Sequence, residues 1–487
     1  MMRPQPKTTY HSVAPSRKRR GEFAVQTAAN VVQFASSASS VKQATGVSTE
    51  SVSQSAPVKK LKSGHAFSYA ALFAFTLVLY ARPSDFYPSA ITNSMALVIA
   101  LTMLAFFIPT QLSLEGNLTA MLPEVRLVLL YGLIGLVGVP VAISRVDAWQ
   151  EFSGVFIRCI IVFVVLVNVV RTEARLKALF YLSLATAAWL SVGAINDYRL
   201  GLLTVEGYRV AGHGLGIFGN SNDMALYLVT MVPIAITFLL RAKSIAVKAI
   251  FAATTLLMIS AIMFTYSRGG FLGLVAALGF LGWRLGNRHR AQILAGGFLL
   301  LIAFLVLSPG GYGVRLASIV FPSLDLKGSA DVRRGDLTRS LYVALRHPLF
   351  GIGMGNYASQ MSFTGLVTHN SYTQVAAEMG LAALYCYTMF IVRPLRKLGS
   401  IARETFAARS KSPFHYLAVG LQASLIGYMV CSFFASVAYL WYVFYLVGYA
   451  VCLRRLYEAE TGREVVVEKR AERKKAALLR NQQPLTT

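Results

Sequence analysis

The feature that most constrains this chain is a series of apolar segments, each close to the length of a membrane span. A helix needs about 20 mostly apolar residues to cross roughly 30 Å of hydrocarbon. Its backbone polar groups are then all bonded internally, as lipid requires. The twelve segments are 66–81, 90–109, 125–143, 152–170, 175–195, 222–240, 245–265, 268–283, 291–308, 371–392, 415–434 and 437–453. The predicted fold class is an all-α polytopic membrane protein with about twelve transmembrane helices and one large loop on the outer side.

The composition agrees with this class. Apolar residues make up 55% of the 487 residues and charged residues only 14%, yet the formal net charge is +26. Basic residues must therefore concentrate in connecting segments, which excludes a nucleic-acid-binding globule with a charged surface. The large aromatic and aliphatic content also excludes a chain that is disordered throughout.

The chain divides into three predicted regions. Residues 1–64 lack apolar periodicity and predict a disordered, basic cytoplasmic tail. Residues 65–453 form the polytopic membrane domain, in which the loop at about 309–370 is expected to be partly helical and to cover a site. Residues 454–487 predict a charged cytoplasmic tail.

Loop charge predicts the orientation, because short cytoplasmic loops collect Lys and Arg. The loops at 171–177, 241–248, 284–290 and 393–411 together hold fifteen, against five in the short loops of the other side. Both termini are therefore predicted to be cytoplasmic.

Three polar clusters fall on the predicted outer side. They are 207–223, 266–270 and 368–380. Arg209 and Arg268 supply planar donors that suit a phosphate, and two of them suit a diphosphate. The alternative for Arg268 is a side chain that reaches the lipid headgroups. In the segment Asn220–Asp223, helix capping is expected for Ser221 and Asn222.

The third cluster begins at a predicted helix start. His369 titrates near neutrality and can act as a general base. Asn370 follows it, and Gln374 and Glu378 continue a polar stripe down one helix face. Glu378 should be neutral or bonded to a partner, because an unpaired charge in the membrane is costly. His213, in the first cluster, is a further candidate for binding substrate.

The sequence predicts no metal site and no cofactor. The four cysteines lie in apolar runs without a paired spacing, at Cys159, Cys386, Cys431 and Cys452. The chain also lacks a phosphate-binding glycine loop and an Asp-rich metal motif.

The clusters resemble motifs of the bacterial O-antigen ligase and polymerase superfamily, which includes protein O-oligosaccharyltransferases. The similar segments, in order, are LYARPSDFYPS at 79–89, RVAGHGLGIFGNSNDMA at 209–225, TYSRGGFLGL at 265–274, HPLFGIGMGNY at 347–357 and HNSYTQVAAEMGL at 369–381. The likeness spans about residues 66–453.

This resemblance implies a multi-pass glycosyltransferase of the bacterial inner membrane whose large loop is periplasmic. Such an enzyme moves a glycan from undecaprenyl diphosphate to an acceptor hydroxyl, on the periplasmic side and without a metal. By motif, Arg209 and Arg268 would lie near the diphosphate and His369 near the acceptor. Ligases acting on lipid A core often have a Gly-Thr-Arg-Gln-like element after this histidine, where the chain reads EMGLAALY at 378–385. Lipid, polysaccharide and protein acceptors therefore stay open.

The alternative reading is a transporter or flippase for a lipid-linked saccharide, which would also need arginines at the outer face. Inverted repeats or helices broken at the midplane would favour it.

Overall fold

The computed structural model describes a large part of the chain. Its described residues are 61–62, 64–203, 207–212, 216–285, 311–318, 321, 323, 329–363, 365–409 and 412–467. They all lie in the compact unit Pro57–Thr487, and the unit Met1–Ala56 is outside them. Almost all of the predicted tail 1–64, and the whole of the predicted span 291–308, therefore lie outside the described residues.

The described residues form helices joined by turns and loops, with no β-strand among them. In chain order the α-helices are α1 Ala66–Ala81, α2 Pro83–Phe86, α3 Ala90–Glu115, α4 Pro123–Gly138, α5 Arg145–Glu151, α6 Ile157–Val169, α7 Glu173–Arg199, α8 Ser221–Arg241, α9 Ile245–Phe264, α10 Arg268–Leu285, α11 Tyr312–Ala317, α12 Ser329–Arg346, α13 Ser371–Glu404, α14 Phe414–Ser432 and α15 Trp441–Thr461. Short 3₁₀ or π turns lie at Val139–Val141, Phe152–Phe156 and Tyr357–Met361. The predicted all-α class is confirmed.

Nine helical stretches of the described chain are long and apolar enough to cross a membrane. They are Ala66–Phe86, Ala90–Glu115, Pro123–Val141, Arg145–Val169, Glu173–Arg199, Ser221–Arg241, Ile245–Phe264, Ser371–Glu404 and Phe414–Ser432. The predicted spans at 268–283 and 437–453 also coincide with helices, α10 and α15, which are not among these nine. The chain is thus a multi-pass membrane protein, and the count of twelve spans stays a prediction.

The helices define two ends of the bundle. Arg209, just before α8, bonds to the turn that starts α10, so these helices begin at the same end. We call this the site end. Arg241, in the last turn of α8, donates to the carbonyl of Pro413, just before α14, at 3.0 Å. We call that the opposite end, and α10 and α13 run from the site end towards it.

Small residues let α8, α10 and α14 pack closely. A Cβ on Gly273 of α10 would lie 2.1 Å from Cys431 Sγ of α14, and one on Gly270 would lie 2.7 Å from the Cβ of Ala225 on α8. Cys431 Sγ also donates to the carbonyl of Gly269 at 3.4 Å. Close approach through small residues is a common way to pack membrane helices. It fixes the position of the first turn of α10.

Helix α13 is broken at Gly380, whose φ of 85° and ψ of 178° are not helical. The segment that follows α12 supplies the missing backbone partners. Ile352 N donates to the carbonyl of Ala377 at 3.0 Å, and Gly353 N donates to that of Glu378 at 2.9 Å. Leu381 N in turn donates to the carbonyl of Pro348 at 2.8 Å. Irregular backbone inside a membrane is tolerated where protein satisfies it in this way.

Buried ion pairs lie at the opposite end. Arg454 donates to both carboxylate oxygens of Glu124 at 2.9 Å, with side chains 3% and 0% exposed. Arg171 pairs with Glu115 at 2.6 Å. Arg454 lies in α15, which continues beyond the predicted boundary at 453 to Thr461.

Candidate active site

Two side chains hold the turn between α9 and α10: Arg209, from the segment before α8, and Asn222, from the first turn of α8. Arg209 Nε donates to the carbonyl of Thr265 at 2.8 Å, and its Nη2 donates to Asn222 Oδ1 at 2.8 Å. Ser267 Oγ donates to the same Asn222 oxygen at 2.9 Å. These bonds hold a turn in which Tyr266 adopts a left-handed φ of 50°, a conformation uncommon for a residue other than glycine.

The capping role expected for Ser221 and Asn222 is wrong. The N-cap of α8 is Asn220, whose side chain accepts from Asn222 N at 2.8 Å. Ser221 Oγ is buried and has no hydrogen-bond partner in the described chain. Asn222 bonds to Arg209 and Ser267 instead, because the turn before α10 lies within its reach.

Arg268 is the first residue of α10, and its side chain reaches the long loop. Its Nη1 donates to Ser318 Oγ at 2.8 Å, and this hydroxyl donates to the carbonyl of Arg315 at 2.7 Å. Arg315 Nε donates back to the carbonyl of Tyr266 at 2.9 Å. The Arg315 guanidinium also lies over the ring of Tyr208, 5.1 Å from its centre. The loop segment 311–318 is therefore fastened to the turn that carries Arg268.

The segment that carries His369 is held by the connection between α14 and α15. Ser371 Oγ donates to the carbonyl of Ala435 at 2.7 Å and accepts from Val437 N at 2.9 Å. Asn370 caps α13 by accepting from the amides of Tyr372 and Thr373, at 2.9 and 3.0 Å. His369 itself has a left-handed φ of 52°. Backbone strain of this kind is often found at functional sites.

Arg268 and His369 line one cavity of about 200 Å³. Arg333 and Arg334 of α12 also line it, as does Asn370. The remaining described lining residues are Leu272, Ser318, Leu337, Thr368, Phe433 and Phe434. Three guanidinium groups around a small volume favour an anion, since each supplies charge and planar donors.

The imidazole of His369 is neutral at physiological pH. Burial of the ring, and then the positive charge of Arg333, lower the pKa of His369 from 6.5 to about 4. A neutral imidazole can accept a proton, as a general base must. A bound anion would raise this pKa again, because an opposite charge favours the protonated form.

The other predicted site residues are placed as follows. Arg209 is only 2% exposed and lies behind the Arg268 turn, not among the described residues that line the cavity. Gln374 is buried one turn into α13, and its Oε1 has no hydrogen-bond partner in the described chain. Glu378 is 3% exposed and accepts from Tyr357 N at 3.2 Å and from Tyr439 Oη at 2.9 Å. His213 lies outside the described residues.

Glu378 thus has hydrogen-bond partners, as expected. It joins Tyr357, in the segment between α12 and α13, to Tyr439, in the connection before α15. Within the described part of the chain, no three His, Cys, Asp or Glu side chains are grouped as metal ligands usually are.

Sequence reasoning did not assign Arg333, Arg334 or Ser318 to the site. The two adjacent arginines in the middle of a long loop were the available signal. Which face of α12 would turn towards Arg268 depends on tertiary packing, and a loop sequence does not specify that.

The fold defines the class, a multi-pass membrane protein, and a comparison with known families narrows it. Residues 253–388 match the family model described as O-antigen ligase. The match confirms the predicted resemblance to the O-antigen ligase and polymerase superfamily, and this likeness supports O-antigen ligase-like glycosyl transfer in general. The matched segment contains Arg268, Arg333 and His369. It gives no support to the transporter alternative.

A comparison with curated proteins finds no match.

Proposed function

We propose that this protein transfers a glycan from undecaprenyl diphosphate to an acceptor hydroxyl, on the periplasmic face of the inner membrane and without a metal ion. The observation that carries the proposal is the cavity shared by Arg268 and His369. It combines positive charge, which suits a diphosphate leaving group, with a neutral imidazole, which suits an acceptor hydroxyl. The acceptor can be a lipid, a growing polysaccharide or a protein.

In the proposed step the acceptor oxygen forms a bond to the anomeric carbon as the bond from that carbon to the phosphate oxygen breaks. The bonding electrons leave with the undecaprenyl diphosphate. Arg268, with Arg333 and Arg334 beside it, stabilises the charge that develops there, which is worth several kcal/mol in sites of this kind. The acceptor proton passes to His369. Attack opposite the phosphate inverts the anomeric centre.

Arg209 acts in this proposal as a positioning residue. Its guanidinium bonds to the carbonyl of Thr265 and to Asn222, and it therefore fixes the turn from which Arg268 extends. Asn222→Ala removes one of these bonds without touching the cavity. Asn222→Ala should therefore lower the rate of glycan transfer by part of the amount that Arg209→Ala does. Arg209→Lys should lower the rate similarly, because lysine lacks the planar fork.

The test is transfer in proteoliposomes that contain the purified full-length protein, an undecaprenyl-diphosphate-linked glycan and a candidate acceptor. His369→Ala should lower the transfer rate by about 10²- to 10⁴-fold, as expected for loss of a general base. The matched control is Arg145→Ala, an exposed arginine at the same end of the bundle. Full activity of His369→Ala would contradict the proposal, and so would loss of activity in the presence of a chelator.

Orientation can be tested separately. The four native cysteines are buried, so an impermeant thiol reagent should label mainly the single cysteine that is introduced. We expect an impermeant maleimide to label Gln360→Cys, which is exposed near the site end, in intact spheroplasts. Lys243→Cys, exposed at the opposite end, should react only after permeabilisation. The reverse labelling pattern would contradict the predicted orientation, in which the cavity faces the periplasm and both termini are cytoplasmic.

A further inference from the structure

A second cavity lies at the opposite end of the bundle, where α10 and α13 end and α14 begins. Its volume is about 260 Å³. Its polar lining residues are Arg284, Arg403 and His415, and its apolar lining residues include Trp283 and Phe406. None of these residues is used in the proposed glycosyl transfer.

The two cavities face opposite membrane surfaces, because they lie at opposite ends of the same two helices. Arg268 starts α10, and Arg284 lies in its last turn. His369 directly precedes α13, and Arg403 lies in its last turn. At a rise of 1.5 Å per residue, the helical path from Arg268 to Arg284 is about 24 Å. This is close to the roughly 30 Å thickness of the hydrocarbon layer.

Positive charge dominates the second cavity. Two guanidinium groups line it, and no carboxylate does so among the described residues. Glu404, next in the chain to Arg403, accepts instead from Tyr457 Oη at 2.9 Å. Like charges in one partly dry cavity repel each other, and an anion between them would remove that cost.

Hydrogen bonding also indicates a missing partner. Arg284 Nε is buried and has no hydrogen-bond partner in the described chain. A buried donor left unsatisfied is costly, and an acceptor in the cavity would satisfy it. His415 is 3% exposed, and Thr405 Oγ1, 3.2 Å from its Nδ1, orients the ring. Arg403 Nη2 donates to Ser400 Oγ at 3.0 Å, which holds that guanidinium at the rim.

We propose that this cavity binds a phosphate group, supplied by the headgroup of an anionic phospholipid in the leaflet opposite to the candidate active site. Phosphate oxygens match planar guanidinium donors and carry the compensating charge. A lipid is favoured as the source because Trp283 is exposed at this end of the bundle, where tryptophan commonly lies at the membrane interface.

Two simpler roles for these arginines make different predictions. Arg284 and Arg403 could only complement the dipoles at the ends of α10 and α13, or extend their side chains to water. Neither role requires a phosphate, and neither would make the protein respond specifically to an anionic lipid.

The test uses the purified full-length protein in a phosphate-free detergent. Short-chain phosphatidylglycerol is titrated while lipid binding is measured by native mass spectrometry and stability by thermal unfolding. Phosphatidylcholine of the same chain length is the neutral comparison. We expect phosphatidylglycerol to bind and raise the Tm, and Arg284→Gln and Arg403→Gln each to weaken that binding by about tenfold. Arg396→Gln is the matched control, because Arg396 is exposed on the same helix as Arg403.

The outcomes separate the possibilities. If inorganic phosphate alone raises the Tm as much and the same variants abolish this, the phosphate site stands but its lipid source is wrong. If both arginine variants respond to phosphatidylglycerol as the wild type does, the proposal is overturned. Should Arg284→Gln not fold, Arg284→Lys keeps the charge and should still bind more weakly than the wild type, because it lacks the planar fork. None of these measurements depends on glycosyl transfer.

Discussion

Arg268 connects two parts of the molecule through one side chain. Its backbone starts α10, on a turn held by Arg209, while its guanidinium bonds to Ser318 of the long loop. The position of its charge is therefore set from both sides before any substrate binds. Such preorganised charge is the largest contribution to catalysis in many enzymes.

Arg268→Lys should restore only part of the activity that Arg268→Ala removes. We expect Ala to lower transfer by about 10²- to 10³-fold, similar to the loss of one charge-stabilising donor elsewhere. Lys keeps the charge but lacks the planar fork that bonds a phosphate at two points. The measurement is the rate of glycan transfer in proteoliposomes at equal protein levels. Equal rates for Lys and Arg would show that only a point charge is needed.

The pH dependence of transfer should lack the step that an ordinary histidine produces. With the pKa of His369 at about 4 in the free protein, kcat/KM should change less than about twofold between pH 7.5 and 5.5. A histidine with a pKa of 6.5 would lose about tenfold over this range. Arg333→Gln removes a positive charge near the ring, so the pKa of His369 should rise and the fall should move to higher pH. The guanidiniums of Arg268 and Arg334 remain in the cavity.

The lowered pKa of His369 also makes the stability of the protein depend on pH. Because the folded-state pKa is lowered, neutral His369 contributes stability that is fully present above pH 6.5. That contribution is lost as the pH falls from 6.5 towards 4. A step in kcat/KM near pH 6.5 in the wild type would contradict this description of the site.

At the scale of the element, α13 is the most informative helix. The sequence predicted a continuous span at 371–392, because glycine is common in membrane helices and its presence does not show a break. The structure divides the helix at Gly380, and the partners that make the division possible come from residues 348–353, distant in the chain. Gly351, Gly353 and Gly355 all have a positive φ, which lets this segment turn sharply beside the break.

Gly380→Ala should destabilise the protein strongly. At a φ of 85° and a ψ of 178°, Gly380 has a backbone conformation that essentially only glycine adopts, and such strain costs another residue about 1–3 kcal/mol. In addition, the new Cβ would lie 2.3 Å from the carbonyl oxygen of Leu349. We expect a clearly lower Tm in detergent. Gly279→Ala in α10 is the control, because its Cβ would meet nothing within 4 Å and alanine favours a helix by up to about 1 kcal/mol. Equal Tm values for the two variants would argue against the break.

Over the whole molecule, buried charges at the opposite end join helices that are far apart in the chain. Glu124, at the start of α4, and Arg454, near the end of α15, form a two-point ion pair that is nearly free of solvent. The sequence could not reveal this pair, since the two residues are 330 positions apart and each resembled an ordinary charge at a span boundary.

Breaking this pair from one side should be worse than removing it. Arg454→Met leaves a buried, unpaired carboxylate, which typically costs about 3–5 kcal/mol. The double variant Glu124→Gln with Arg454→Met removes both charges and should recover much of that loss. Thermal unfolding in detergent measures both. The single variant Glu124→Gln is measured as well. If it lowers the stability of the wild type and of Arg454→Met by the same amount, the two residues do not interact.

Most of the fold could be predicted from the apolar segments. Arg268 and His369 could be predicted as site residues because each lies at the start of a predicted span on the same side. The contribution of α12 to the cavity could not be predicted from the sequence. Its arginines reach the site only because Ser318 and Tyr357 fasten the loop on either side of that helix, to Arg268 and to Glu378 respectively. Such contacts join positions that no local pattern relates.

The break in α13 bears on how such proteins can be recombined. The first part of the helix, 371–379, extends about 13 Å into the bilayer. It ends against backbone supplied by residues 348–353. A graft of the external loop alone would therefore leave amide and carbonyl groups unsatisfied within the hydrocarbon layer. The smallest segment that contains both members of each of these pairs is 348–381, so chimeras designed to change specificity should place their junctions outside that range.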